Sequence, residues 1–116
     1  MIAVIFEVEP AEGRREEYLE IAASIRPRLE EIDGFISVER FQSLVNPGKI
    51  LSLSIFRDEE AVKAWRNTEE HRMAQEAGRG GVFAGYRLRV TSVLRDYGLT
   101  ERREDAPADS RERHER

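Results

Sequence analysis

An α+β sandwich, with helices laid on one face of a four-stranded antiparallel sheet, is the fold class that this sequence predicts. Three observations predict it. Apolar residues recur in strand-like runs at 2–8, 35–43, 50–56 and 83–97. Stretches with helical spacing separate the first run from the second and the third from the fourth, whereas only Val45-Asn46-Pro47-Gly48 separates the second from the third. Asn-Pro-Gly is strong turn chemistry and joins those two as a hairpin. The order strand, helix, strand, strand, helical pair, strand is that of a ferredoxin-like sandwich.

In the first run Ile2, Val4, Phe6 and Val8 fall on one face while Ala3, Ile5 and Glu7 fall on the other, so both faces expect cover. Pro10-Ala11-Glu12-Gly13 breaks it. From Arg14 the spacing turns helical, with Tyr18, Ile21, Ala22, Ile25, Leu29 and Ile32 on one side. Pro27 lies inside this long helix and is expected to kink it, and Asp33-Gly34 ends it, glycine being suited to a left-handed C-cap. The third strand has a fully apolar face, Leu51, Leu53 and Ile55, and a mixed face, Ile50, Ser52, Ser54 and Phe56, that tolerates a solvated pocket.

Asp58 is placed to N-cap a short helix through Ala61, Val62, Ala64 and Trp65, and Asn67 with Glu70 has the spacing of a second cap. On one continuous helix Trp65 and His71 would sit roughly 120° apart. A break after Trp65 aims both into one cleft. Gly78-Arg79-Gly80-Gly81 closes the second helix, and the last strand carries Tyr86, Leu88, Val90 and Leu94 on one side. This gives one domain over 1–97, followed by a charged tail over 98–116 expected to be mobile or to lie on a partner chain through Ala106-Pro107-Ala108-Asp109-Ser110. The sheet face without helices is apolar, so two chains are expected to pack their sheets together as a homodimer.

Composition excludes several functions. With no Cys there is no disulfide, thiolate zinc site, iron–sulfur cluster or cysteine nucleophile, which points to a reducing compartment, the cytoplasm. A net charge of -4, with basic residues mixed among acids, argues against nucleic acid as a partner. No run is long enough to span a bilayer, and the first six residues lack the flanks of a signal peptide. Two His, one of them His114 in the tail, make no convincing metal site. The glycine run follows a helix instead of opening one, so it is no dinucleotide or phosphate loop.

Ile32-Asp33-Gly34-Phe35 before the hairpin, Trp65 with His71, and the closing strand from Tyr86 to Tyr97 together resemble the antibiotic biosynthesis monooxygenase domain superfamily, the dimeric α/β-barrel proteins. The resemblance implies two chains joined into such a barrel. It admits several chemistries: cofactor-free oxygenases that turn aromatic polyketides into quinones, haem-degrading enzymes, autoinducer-handling proteins and members of no known activity. In the quinone-forming type an Asn, a Trp, a Tyr and an Arg surround the bound phenol. Trp65 matches that Trp, His71 stands in the place of the Tyr, Ala61 in that of the Asn, and Gly85, with Arg87 close by, near that of the Arg. The haem-degrading type is disfavoured, since Phe6 and Gln75 stand where its Asn and His would be.

His71 is the candidate base, because an imidazole titrates near neutrality and can take a phenolic proton or one beside a carbonyl. The alternative is a first-turn residue facing water. Trp65 is either a stacking wall for a planar ligand or a cap on the core. Arg87 and Arg89 share a face of the last strand, roughly 7 Å apart; Arg87 is the candidate anion stabiliser, with ion pairing to neighbouring acids as the alternative. Phe6, Tyr18 and Tyr86 are the candidates for substrate contact. The leading reading is a cofactor-independent monooxygenase using dioxygen on a planar hydrophobic or aromatic small molecule. Beside it stand a non-catalytic binding or sensing module for a hydrophobic metabolite, and a purely structural dimer with Trp65 packed solid and no cavity.

Overall fold

The computed structural model describes residues 1–68, 71–72, 75–76 and 78–109. Its elements are β1 (Ile2–Pro10), α1 (Arg15–Glu30), β2 (Phe35–Gln42), β3 (Ile50–Phe56), α2 (Glu59–Arg66) and β4 (Phe83–Ser92). All four strands form one antiparallel sheet in the order β2-β3-β1-β4. The two most apolar strands therefore take the centre, where both faces are covered best.

Register fixes the faces. Val4, Phe6 and Val8 of β1 lie opposite Ser54, Ser52 and Ile50 of β3 and opposite Val90, Leu88 and Tyr86 of β4. Val38 and Arg40 of β2 continue the same row. The helices cover this face, since Tyr18, Ala22 and Leu29 of α1 and Ala61 of α2 are buried with Val8, Val38, Ile50 and Phe56. Ile5, Leu51, Leu53 and Ile55 lie on the outer face and are only partly buried.

Helix α1 continues through Pro27 and ends at Glu30. The Ile32-Asp33-Gly34-Phe35 segment then docks the end of α1 onto α2. Gly34 adopts φ +95°, and a Cβ there would lie 2.8 Å from the Ala61 side chain, so conformation and close approach both require glycine. Arg57 holds both Asp33 carboxylate oxygens at 3.2 and 3.3 Å and the Asp58 carboxylate at 3.1 Å. Asp58 in turn accepts the Ala61 N–H at 2.9 Å as the N-cap of α2. That bond, with the Arg57 charge behind it, holds the Asp58 carboxyl below its ordinary range.

Strand β4 ends at Ser92, five residues short of the Tyr97 expected from sequence, because its partner begins at Ile2 opposite Ser92 and the Val93 N–H makes a final bond to the Met1 carbonyl. Beyond it, Arg103 donates to the Gly98 carbonyl and stands 5.3 Å over the Tyr97 ring, and Ala106 is buried. His114 and residues 110–116 lie outside the described residues. No helix among the described residues is long and apolar enough to cross a membrane.

Candidate functional site

The core on the helical face is divided into two clusters, and the sequence of β3 shows how. Ile50 joins Val8, Tyr18 and Val82 at one end, and Phe56 joins Leu29, Val38 and Ala61 at the other. Between them stand Ser52 and Ser54, too small to reach the helices. The result is a cavity of about 610 Å³ between sheet and helices, with Ser52 and Ser54 on its floor. A space of that size suits a small organic molecule. This excludes the reading in which Trp65 is packed solid against a filled interior.

A break in the helical layer brings the indole and imidazole together. Helix α2 stops at Arg66, and the Thr68 hydroxyl donates to the Trp65 carbonyl at 2.9 Å while accepting the His71 N–H at 3.1 Å. Thr68 therefore caps the next helical turn, one residue beyond the Asn67 expected to do so. Asn67 instead donates to the Lys63 carbonyl and accepts from Arg72; Glu70 lies outside the described residues. The Trp65 and His71 rings then meet at 5.4 Å between centroids, tilted by 57°, and both line the cavity. Trp65 also packs on the cluster around Phe56, so it serves as core on one side and wall on the other.

His71 is half-buried, and this burial, followed by the nearby Arg66 charge, lowers its pKa below the ordinary 6.5. Its ring is therefore neutral near pH 7, with a nitrogen able to accept a proton. Among the described residues its ring makes no hydrogen bond, while its backbone N–H is held by Thr68.

Phe6, Tyr18 and Tyr86 line the same cavity and form an aromatic group around Phe83, with centroid distances of 5.7 to 6.3 Å. Tyr18 is buried, whereas Tyr86 is 68% exposed and stands at the mouth. The wide turn Gly78–Val82 delivers Phe83 there. It is fixed by the Ala11 N–H on the Val82 carbonyl, by Arg14 on the Gly80 carbonyl, and by Gly81 at φ +98°, where a Cβ would lie 3.1 Å from the Arg14 guanidinium.

Arg87 requires correction. Tyr86, Leu88 and Val90 face the cavity, so strand alternation turns Arg87 and Arg89 to the opposite side of the sheet. Arg89 pairs there with Glu7 at 3.3 Å, and Arg87 lines a separate cleft of about 210 Å³ with Glu7, Glu9 and Lys49. The guanidinium groups lining the cavity are instead those of Arg40, Arg66 and Arg79, which sequence reasoning passed over. A signal for Arg40 was present: it lies two residues from Val38, on the covered face of β2. Among the described residues no group of three or more His, Asp or Glu is placed to hold a metal ion.

The comparisons with known proteins agree with the fold. The family model for antibiotic biosynthesis monooxygenase matches residues 1–77. Over 112 residues, 97% of this chain, the sequence is 48% identical to a protein of Pyricularia oryzae named jasmonate monooxygenase ABM, of which it spans about half, 52%. Two solved structures share the fold at low identity. Rv0793 from Mycobacterium tuberculosis superposes with a TM-score of 0.75 at 15% identity over 84% of this chain and 98% of that one. A candidate antibiotic biosynthesis monooxygenase from Deinococcus radiodurans gives 0.76 at 11% identity, covering 84% and 97%. The chain belongs to the antibiotic biosynthesis monooxygenase family.

Proposed function

We propose that this protein is a monooxygenase that closes a small, ring-bearing hydrophobic molecule between sheet and helices and oxidises it at a carbon acidified by a neighbouring carbonyl or phenol. The observation that carries this reading is the neutral His71 imidazole set against the Trp65 indole on the wall of a largely apolar cavity. His71 removes the proton, and the indole face holds the ring in place. The carbanion then reacts with dioxygen. For an activated CH₂ the balance closes without added reductant: one oxygen atom becomes the new carbonyl and the other leaves as water with the two hydrogens. The relative's name makes jasmonate, a cyclopentanone carboxylate with acidic C–H bonds beside its carbonyl, a natural member of the substrate panel.

The test is oxygen uptake and product mass with jasmonate, anthrone and hydroquinone substrates, without added cofactor. Catalysed uptake with at least one of them is expected. Tight binding with no uptake would instead favour a binding module.

The protein also acts as a homodimer in this reading, in the cytoplasm given its lack of cysteine. The support is the outer sheet face, where Ile5, Leu51, Leu53 and Ile55 form a contiguous apolar surface that helices leave uncovered. Light scattering at micromolar concentration is expected to give twice the mass of one chain, 13.4 kDa. Leu53→Glu, which places a charge at the centre of that face, is expected to return it to one.

A further inference from the structure

We infer that the molecule taken into the cavity is an anion, and that Arg40 is the specificity-determining residue that holds its carboxylate. The inference rests on the reading that the cavity is the substrate site, and it names the chemical class of that substrate.

The charges lining the cavity are lopsided. The chain as a whole carries a net charge of -4, yet the described residues lining the cavity include Arg40, Arg66 and Arg79 and no Asp or Glu. Arg66 and Arg79 are exposed, a cationic rim past which an anion is drawn in. Arg40 is different. It rises from β2 on the covered face, beside buried Val38 and opposite Ser52, itself only 7% exposed. The short Ser52 side chain leaves the guanidinium room to extend over the floor.

Of the other guanidinium groups, those on the rim are open to water, and several find protein carboxylates: Arg14 has Glu17, Arg57 has Asp33 and Asp58, and Arg89 has Glu7. Arg40 has none among the described residues, and its Nε is buried without a hydrogen-bond partner. A buried donor left unpaired is costly, and a cation beside apolar walls more so. An apolar residue at this position, beside Val38 on the covered face, would avoid that cost. The arginine therefore answers to something that enters the cavity. Its planar fork matches a carboxylate in bidentate geometry. The rest of the lining accepts the apolar body of the same molecule, so the ligand is a monocarboxylate on a hydrophobic ring or chain. The sheet layer then grips the acid group while the helical layer presents His71 to the reacting carbon.

The experiment compares acids with their esters on the full-length chain, through quenching of the single tryptophan, Trp65, and through calorimetry. The probes are jasmonate with methyl jasmonate, and 1-naphthaleneacetate with its methyl ester. The wild-type protein is expected to bind the acid of at least one pair roughly tenfold or more tightly than its ester. Arg40→Gln should bring that pair to within about threefold by weakening the acid alone, and Arg40→Lys should recover part of the preference. Equal binding of acid and ester by the wild type in both pairs overturns the inference, as does a preference that survives in an Arg40→Gln protein with an unchanged circular-dichroism melt. Should Arg40→Gln fail to fold, the wild-type ratio decides alone. An intact acid preference without oxygen uptake sinks the monooxygenase reading and leaves this inference standing; turnover of ester as readily as acid does the reverse.

Discussion

Replacing His71 by alanine is expected to lower turnover by on the order of 10²- to 10⁴-fold while altering substrate affinity little, the signature of a group that works in the proton-transfer step. The pH profile provides the sharper check. A base must be neutral, so wild-type activity is present above the His71 pKa and lost as pH falls through it. Burial and the Arg66 charge set that pKa below 6.5, so the acid limb should lie below 6.5 and activity near pH 7 should be close to its plateau. Arg66→Gln removes one of the two causes and should move the limb upward. An acid limb that survives unchanged in His71→Ala would show that another group is the base. The same shift has a consequence for stability: the unfolded chain binds a proton at this site more readily than the folded one, so the contribution of His71 is complete above 6.5 and declines as pH falls toward the folded value.

The sheet and its helical cover were legible because they depend on local rules. Asn46-Pro47-Gly48 encodes its hairpin, Asp58 its cap, and β3 its bounds from Ile50 to Phe56, all within a few residues. The end of β4 was not legible, because it is set by where β1 begins, ninety residues earlier in the chain. The candidate site divides along the same line. Trp65 and His71 are joined by a local break at Thr68, and the polar spacing around it gave a usable, if displaced, sign. Arg87 and Tyr86 cannot both face the cavity, because adjacent residues of a strand face opposite ways. Arg40 became meaningful only when the cross-strand pairing with Ser52 revealed the gap that it extends across. The serines on the mixed face of β3 marked a place for a pocket in the sequence, but its position between two core clusters is a tertiary property.

Phe56→Ala is expected to destabilise the fold by about 3–5 kcal/mol, the usual range for deleting a fully buried ring. Phe56 is 2% exposed, ends β3, packs edge-on to Phe35 at 5.9 Å, and shares a cluster with Leu29, Val38 and Ala61. Among the described residues it is the largest fully buried side chain, at the junction where the Gly34 loop, α2 and the sheet meet, and the Gly34–Ala61 approach leaves the backbone little freedom to collapse into the hole. With a total stability of roughly 5–15 kcal/mol for a domain of this kind, that loss consumes much of the margin. Urea unfolding at a fixed protein concentration measures it, and a change below about 1 kcal/mol would contradict the packing described. Phe6→Ala is the informative counterpart. Phe6 borders a space that already exists, so its removal widens the cavity, costs less stability, and loosens the grip on the ligand instead. A large stability loss at Phe56 beside a binding loss at Phe6, two aromatic residues on the same face of adjacent strands, would separate the part of this interior that holds the fold from the part kept open for a substrate.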